Sequence, residues 1–339
     1  MRSLLFLMTL GLLALVGCSG SAPTTTTNSS SGTPAATGKL IIPVIPKGTT
    51  HEFWKSIHAG AEMAKSELKD VEIVWRGPLK EDDRDGQIAV VEDFITQKVS
   101  GIVLAPLDDV ALKAPVAAAK KAGIPVVIID SGLQGDDYAS FVATDNEKGG
   151  FMAGEQMVRL LNGKGKVVML RYQEGSASTQ LREKGFLDAI SKAKGIEVVS
   201  SNQYGGATAG SAQTASENLL TPFKVDGKLS IDGIFTPNES TTFGMLRCLE
   251  DAKLIGVKFV GFDASPNLVE ALKGGQIDGL IVQNPVKMGY LGVKTIVAHL
   301  RGEKIETKID TGVQLVTKKN METPEISNLL NPPLDKWLK

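Results

Sequence analysis

Two aspartates stand directly after short apolar runs: Asp130 closes PVVIID and Asp263 closes VKFVGFD. A carboxylate at the end of a strand can accept two hydrogen bonds at once, which suits the neighbouring hydroxyls of a sugar or polyol. A turn or helix-capping role is the alternative for either one alone; matched placement of both favours a ligand. Asn238 follows the run DGIFTP in the same manner and adds an amide that can donate and accept. Phe53 and Trp54 sit at the mouth of a helix read over His51–Leu68, whose apolar positions Ile57, Ala61, Ala64 and Leu68 already define one buried face. The aromatic pair is therefore free to cover the apolar C–H faces of a sugar ring while the polar groups meet its edges. Filling the upper core is the competing role for the pair.

Other chemistries find little support. The three histidines, His51, His58 and His299, lack an HExxH pattern or a companion cysteine–carboxylate cluster, and His58 and His299 read as helix-surface residues. There is no GxSxG and no P-loop; YGGATAG, Tyr204 to Gly210, is a glycine-rich strand-to-helix loop without the Lys-Ser/Thr of a phosphate cradle. KEDDRDGQ, Lys80 to Gln87, lacks the ligand alternation and terminal glutamate of a calcium loop, and acidic residues beginning a helix are favoured by its dipole. Cys248, within FGMLRCLEDA, reads as a small buried hydrophobe. No enzyme, metal site or cofactor is expected.

Elements that could hold these residues are legible. Short β-branched runs (KLIIPVI, VEIVW, SGIVLAP, PVVIID, GKVVML, IEVVS, DGIFTP, VKFVGFD, DGLIVQ) alternate with amphipathic stretches such as DGQIAVVEDFITQK and QLREKGFLDAISKAK. That alternation predicts an α/β protein with parallel sheets covered by helices. Ser100–Gly132 and Asp232–Ser265 share one plan of strand, polar loop, helix, strand and aspartate, which predicts two lobes of the same build. In open α/β sheets ligands bind beyond the carboxyl ends of the strands, where Asp130, Asp263, Asn238 and the aromatic pair all fall. The chain has 339 residues, 42% of them hydrophobic, enough for two cores. A net charge of −1 without a basic stripe argues against a nucleic-acid partner.

From Lys39 to about Asn320 the chain resembles the type I periplasmic substrate-binding proteins of sugar ABC transporters, near the ribose-binding group. The resemblance is carried by HEFWKSIHAGA, SGIVLAPLDD, AGIPVVIID, ATDNEKGGFMAG, LREKGF, VGFDASP and GLIVQNP. It implies two Rossmann-like lobes joined by three hinge strands near Thr144, Asn284 and Thr311, closing on ligand like jaws. The implied lobes are 39–143 with 285–311, and 144–284 with 312–339. By the same resemblance Phe53 and Trp54 sandwich the sugar ring, and Asp130, Asn238, Asp263 and Gln283 bind hydroxyls. Gln180 and Arg182 fall where the family places polar or arginine contacts, and Tyr204 contributes from its loop. His51 and Ser131 are also expected at the ligand, and three departures argue against ribose itself: Ser131 replaces an arginine, Ala105 an asparagine, and His51 an asparagine. WRGP at Trp75–Pro78 with Gln87 looks more like relatives that take other pentoses, deoxy sugars or the furanosyl signal autoinducer-2. The implied partners are a sugar or polyol and an ABC permease, with the protein a monomer. A binding protein that presents its solute to a membrane receptor or sensor kinase is the alternative. A DNA-binding regulator of the same fold would need an N-terminal helix-turn-helix, where this chain reads as signal and tether.

Residues 1–18 read as a lipoprotein signal: Arg2, an apolar stretch from Leu4 to Val16, and LVGC ending at Cys18, which resembles a lipobox. Residues 19–38 form a Ser/Thr/Ala/Pro tether with nothing to bury. The anchor is thus expected at Cys18, on the periplasmic or outer face of a bacterial membrane. Two acyl chains hold a protein on a bilayer where one is marginal. Cys18→Ser should therefore release the protein from membranes, and a wild-type protein left unlabelled by a metabolic fatty-acid probe would refute the anchor.

Overall fold

The computed structural model describes residues 38–338; the signal segment, Cys18 and most of the tether lie outside the described residues. In chain order the first lobe contains β1 (Leu40–Ile45), α1 (Glu52–Glu67), β2 (Val71–Trp75), α2 (Arg84–Thr96), β3 (Ile102–Leu104), α3 (Lys113–Lys121), β4 (Val126–Ile129) and β5 (Ser140–Ala143). The second lobe follows with α4 (Asn146–Leu160), β6 (Lys164–Arg171), α5 (Ala177–Ser191), β7 (Gly195–Tyr204) and α6 (Ala209–Leu220). A short hairpin, β8 (Lys224–Val225) and β9 (Lys228–Leu229), precedes β10 (Gly233–Phe235), α7 (Glu239–Asp251), β11 (Lys258–Phe262), α8 (Pro266–Gly274) and β12 (Gly279–Gln283). Helix α9 (Pro285–Leu300) and β13 (Lys308–Asp310) return to the first lobe, and β14 (Val313–Val316) and α10 (Pro324–Leu330) to the second.

Each lobe is a six-stranded sheet. The first runs β13-β5-β4-β3-β1-β2, all parallel; the second runs β14-β12-β11-β10-β6-β7, parallel except for β14 against β12. Stripped of the returning strands, both have the same doubly wound order, 2-1-3-4-5. The central strands IVL and VVII are buried throughout, as expected for parallel strands covered on both faces. Two hydrophobic clusters, one per sheet face, fill each lobe. The expected helical face at Ile57, Ala61, Ala64 and Leu68 is buried in the first of these lobes, and Cys248 is buried in the second.

The chain crosses between sheets three times: after β5 at Thr144–Asp145, after β12 at Asn284, and between β13 and β14 at Thr311–Gly312. Asp145 and Asn284 each cap the helix that follows, accepting from Lys148 N and Lys287 N. Thr311 N donates to Ala143 O at 3.0 Å, tying the first crossing to the third.

Helices cross at glycine in both lobes. A Cβ on Gly60 of α1 would overlap the Val286 carbonyl at the start of α9, and one on Gly289 would overlap the Ile57 carbonyl. In the second lobe a Cβ on Gly150 of α4 would overlap Arg182 O, and one on Gly185 of α5 would overlap Glu147 O. Backbones that touch leave no room for a methyl group. Gly60→Ala and Gly185→Ala should each lower unfolding free energy by about 1–3 kcal/mol. Gly210→Ala on the exposed start of α6, where an added Cβ has space, should instead raise it by about 0.5–1 kcal/mol. Urea denaturation giving the same sign for all three would refute the crossing geometry.

Candidate functional site

In a 2-1-3-4-5 sheet the strand order reverses between the first and third strands, and their carboxyl ends diverge to leave a crevice. Gln87 of α2 fixes that point in the first lobe. Its amide donates to Pro46 O at 2.8 Å and Ala105 O at 2.9 Å, and its oxygen accepts from Leu107 N at 2.9 Å. It thus clamps the segments leaving β1 and β3. Lys47, His51, Phe53 and Trp54 follow β1, while Asp130 follows β4. From the second lobe, Tyr172 follows β6, Asn238 follows β10, Asp263 follows β11, and Gln283 ends β12.

These groups meet in a cavity of about 30 Å³ between the lobes, walled also by Glu81, Ser178, Thr179, Arg182 and Glu239. A larger cleft of about 680 Å³ lies on the hinge side, reaching from Phe53 and Ser56 to Thr311, Leu329 and Leu334. Phe53, Glu239, Asp263 and Gln283 border both. The convergent charged groups gather in the smaller one, so the chemistry is assigned there.

The Glu81 carboxylate accepts three side-chain hydrogen bonds. Its Oε1 accepts from His51 Nδ1 at 2.6 Å and Trp54 Nε1 at 2.7 Å, both in its own lobe. Its Oε2 accepts from Tyr172 OH at 2.5 Å, across the cleft. Burial resists the charge on both His51 and Glu81, but their mutual attraction outweighs it. The imidazole is pushed up to about 9 and the carboxylate down to about 2. Burial, reinforced by Glu81, raises the Tyr172 phenol well above its usual range, so it remains a donor.

The remaining charges are arranged lobe by lobe. Lys47 Nζ lies 3.2 Å from Asp130 Oδ2 and donates across the cleft to Ser176 and Ser178 hydroxyls at 3.3 and 3.1 Å. Asp263 accepts from Gln283 Nε2 at 2.7 Å and from Glu239 N at 3.0 Å; burial raises its pKa against the opposing pull of Arg182. Arg182 donates to Asn146 Oδ1 at 2.8 Å and Pro237 O at 3.0 Å, and its guanidinium lies over the Phe262 ring, 4.1 Å from the centroid. Glu239 Oε2 accepts from Phe53 N at 3.0 Å across the cleft. Among the described residues no cluster of His, Cys, Asp or Glu is placed to hold a metal ion.

Asp130 and Asp263, the matched pair of the sequence, adopt the left-handed conformation with φ of 62° and 70°. Each accepts the same backbone arrangement: its N–H donates to the next strand, at Val142 O and Ile281 O. Non-glycine residues reach this region at a cost, aspartate less than most. Strain at equivalent places in both lobes marks positions where the side chain, not the backbone, is required.

Comparison with known proteins fits this geometry. Residues 42–304 match the family model described as a periplasmic binding protein domain. The chain belongs to that family. A curated relative, the ribose import binding protein of Haemophilus influenzae, is 30% identical over 266 residues, which are 78% of this chain and 87% of that one. Among solved structures, a carbohydrate-transporter solute-binding protein of Agrobacterium radiobacter, in complex with D-arabinose, superposes with a TM-score of 0.82 at 34% identity. It covers 87% of this chain and 100% of its own. A solute-binding protein of Agrobacterium vitis with bound D-fucose has a TM-score of 0.82 at 35% identity, covering 86% of this chain and 100% of its own. The two lobes are therefore those of a type I periplasmic binding protein.

Within that fold His51, Phe53, Trp54, Asp130, Arg182, Asn238, Asp263 and Gln283 line the interlobe cavity. Three other expected residues do not. Gln180 is exposed, because it lies two residues, about 200° of helix, from the inward-facing Arg182. Tyr204 is 39% exposed at the end of β7, an edge strand, where Arg171 lies 5.0 Å over its ring. Ser131 is buried behind the wall, its Oγ accepting from Ser178 N at 3.1 Å. Trp54 is more deeply built in than the sequence implies: it is 2% exposed, belongs to the first lobe's core and packs edge-on against Phe53. The competing core role thus holds for Trp54 alongside its place in the cavity wall. His58 is half-buried and stacks on Trp75 at 4.4 Å rather than lying on the helix surface. Lys47, Glu81, Tyr172 and Glu239 escaped the sequence reading. Of the acidic run, Asp83 does cap α2, accepting from Gly86 N, but Glu81 turns inward.

Removing Glu81 strands an imidazolium, an indole N–H and a buried phenol. Glu81→Ala should lower unfolding free energy at pH 6 by about 3–5 kcal/mol. Because the imidazole is raised from 6.5, its share of the stabilisation is complete below that pH and drains away as pH rises through about 9. Because the carboxylate is depressed from 4.5, its share is complete above that pH and is lost as pH falls through about 2. The gap between wild type and variant should accordingly narrow above pH 9. Denaturation curves with a gap that does not change between pH 6 and 10 would show that the pair is not what Glu81 contributes.

Proposed function

We propose that this protein is an extracytoplasmic solute-binding protein that takes a sugar or polyol between its lobes and delivers it to an ABC importer, as a monomer anchored through Cys18. The observation that carries this reading is a pair of unmet polar atoms. Arg182 Nη2, a donor, and Gln283 Oε1, an acceptor, are buried with no hydrogen-bond partner among the described residues, and both residues wall the interlobe cavity. Buried polar groups left unpaired cost about 1–3 kcal/mol each. A hydroxyl is the group that answers both needs, accepting from the guanidinium and donating to the amide oxygen.

The surroundings extend the argument. Asp130, Asp263 and Asn238 add acceptors and donors for further hydroxyls, while Phe53 and Trp54 present apolar surface to ring carbons. Lys47, His51 and Arg182 each already face a carboxylate or fixed oxygen, so the site favours a neutral solute. Ligand pockets generally measure about 300 Å³ or more, so admission requires the lobes to part about their three crossings. The relatives point the same way, being named for ribose import or seen with D-arabinose or D-fucose.

Calorimetry and thermal shift over a panel of pentoses, deoxyhexoses and polyols test the proposal. A bound solute at 100 times its dissociation constant should add about 2.7 kcal/mol of stability. Asp130→Ala and Asp263→Ala should each weaken its binding by about 10- to 100-fold, through loss of charge-assisted hydrogen bonds. A panel without any binder, or native affinity in both variants, would overturn the reading.

A further inference from the structure

Helix α1 begins without a cap of its own. Its N-cap residue is His51, whose side chain makes no capping bond because Nδ1 is committed to Glu81. The Phe53 N–H finds its acceptor in the other lobe, at Glu239 Oε2, 3.0 Å away. Glu239 is in turn held by its own backbone, which donates to Asp263 Oδ2. The contact forms part of the wall between the interlobe cavity and the hinge-side cleft.

We propose that Glu239 is a proton-linked latch: closing the lobes drives its carboxylate into a site shared with the carboxylates of Glu81 and Asp263, and the carboxylate takes up one proton from solvent as it closes. The surrounding charges are arranged unevenly. From the start of α1 come His51, which favours the charged form, and Glu52; from the segment before α2 comes Glu81; from the end of β11 comes Asp263. Lys287 of α9 and Glu325 of α10 border the hinge-side cleft beside it. No ion pair to Glu239 forms among the described residues. Desolvation dominates, raising the carboxyl from 4.5 to about 7, with His51 and the Phe53 N–H opposing.

Among the described residues the Glu239 side chain takes its one hydrogen bond from the facing lobe, so opening removes it. His51 and Glu81 share the first lobe, so their pair survives opening; Asp263 keeps Gln283 and the Glu239 N–H within the second. Glu239 alone of these carboxylates reaches across to a helix N-terminus. A group whose pKa is higher closed than open favours the closed state as pH falls, so acidity tightens the latch. Between pH 7.5 and 5.5 the closed-to-open ratio should rise by about twentyfold.

The Phe53 amide reports this without any sugar, since Glu239 is its acceptor. Although the latch rests on the reading of a cleft that opens and closes, hydrogen exchange on the full-length, ligand-free protein separates the two. Protection of the Phe53 amide, corrected for intrinsic exchange, should grow by about the same factor from pH 7.5 to 5.5 in wild type and stay level in Glu239→Gln. In a second arm, D-arabinose as probe should bind wild type more tightly at pH 5.5 than at 7.5, with a flat profile in the variant. A level wild-type exchange profile, or an unchanged pH dependence in Glu239→Gln, would overturn the latch. An absence of D-arabinose binding with the exchange result intact would count against that sugar and leave the latch standing.

Discussion

A buried carboxylate with three donors organises this molecule. Glu81 leaves water only because His51, Trp54 and Tyr172 replace its hydration, and an ion without such partners would change its protonation state instead. One oxygen collects two groups of its own lobe and the other reaches the facing lobe. The consequences spread outward. The imidazole is charged and fixed, the indole plane is set, and the phenol becomes a cross-cleft strut. Gln173 Nε2 adds a second strut by donating to the Glu81 carbonyl at 2.8 Å. Beside the bonds from Lys47 to Ser176 and Ser178 and from Phe53 to Glu239, two of those that set the first lobe against the second thus meet at one residue.

That residue matters because the architecture brings strand ends, and little else, to the cleft. Two sheets of the same order present their carboxyl edges to each other, and each edge offers a switch point, an aspartate in left-handed conformation and a helix start. Strand ends are rigid in position but carry few side chains. Loops and helix starts must therefore supply the rest: Glu81 ahead of α2, Ser178 and Arg182 on α5, Asn238 and Glu239 at α7. Asn238 does double duty, capping α7 through Thr241 N at 3.3 Å while walling the cavity. A side chain already held by its own helix loses little further freedom when a solute arrives.

The same division explains what could be read from the sequence. Asp130, Asp263 and Asn238 end strands whose apolar runs are unmistakable, so their place on the cleft edge followed from strand direction alone, whereas Gln283 came only with the family resemblance. The nine expected strands are all present; β5, β13, β14 and the β8–β9 hairpin lay outside those runs because each is only two to four residues long. Glu81 was hidden inside an acidic run whose helix-dipole explanation is sound for Asp83 and Asp85, and one-dimensional pattern cannot show that a single member turns inward. Lys47 and Tyr172 sit one or two residues beyond their strands, where side-chain direction depends on the turn. Gln180 and Tyr204 show the converse error. Gln180 adjoins the wall residue Thr179, but helix phase turns it outward; Tyr204 ends a strand like the wall residues do, but sheet order places that strand at an edge.

Trp54 unites core and site in one side chain, and the choice of tryptophan follows from that. Its ring contributes to the first lobe's hydrophobic cluster, its edge meets Phe53 with ring planes at 85°, and it still walls the cavity. A phenylalanine could fill the core, but it would leave the Glu81 oxygen one donor short; a histidine could donate, but would fill less of the core. Only an indole brings a large apolar face together with an N–H aimed at a buried carboxylate. Whatever rests against that face meets a surface locked by packing on one side and by a 2.7 Å hydrogen bond on the other. Rigid apolar walls bind through shape; under the proposed function the first-lobe aromatics set where a ring lies, and the polar strand ends of both lobes set which of its edges carry hydroxyls.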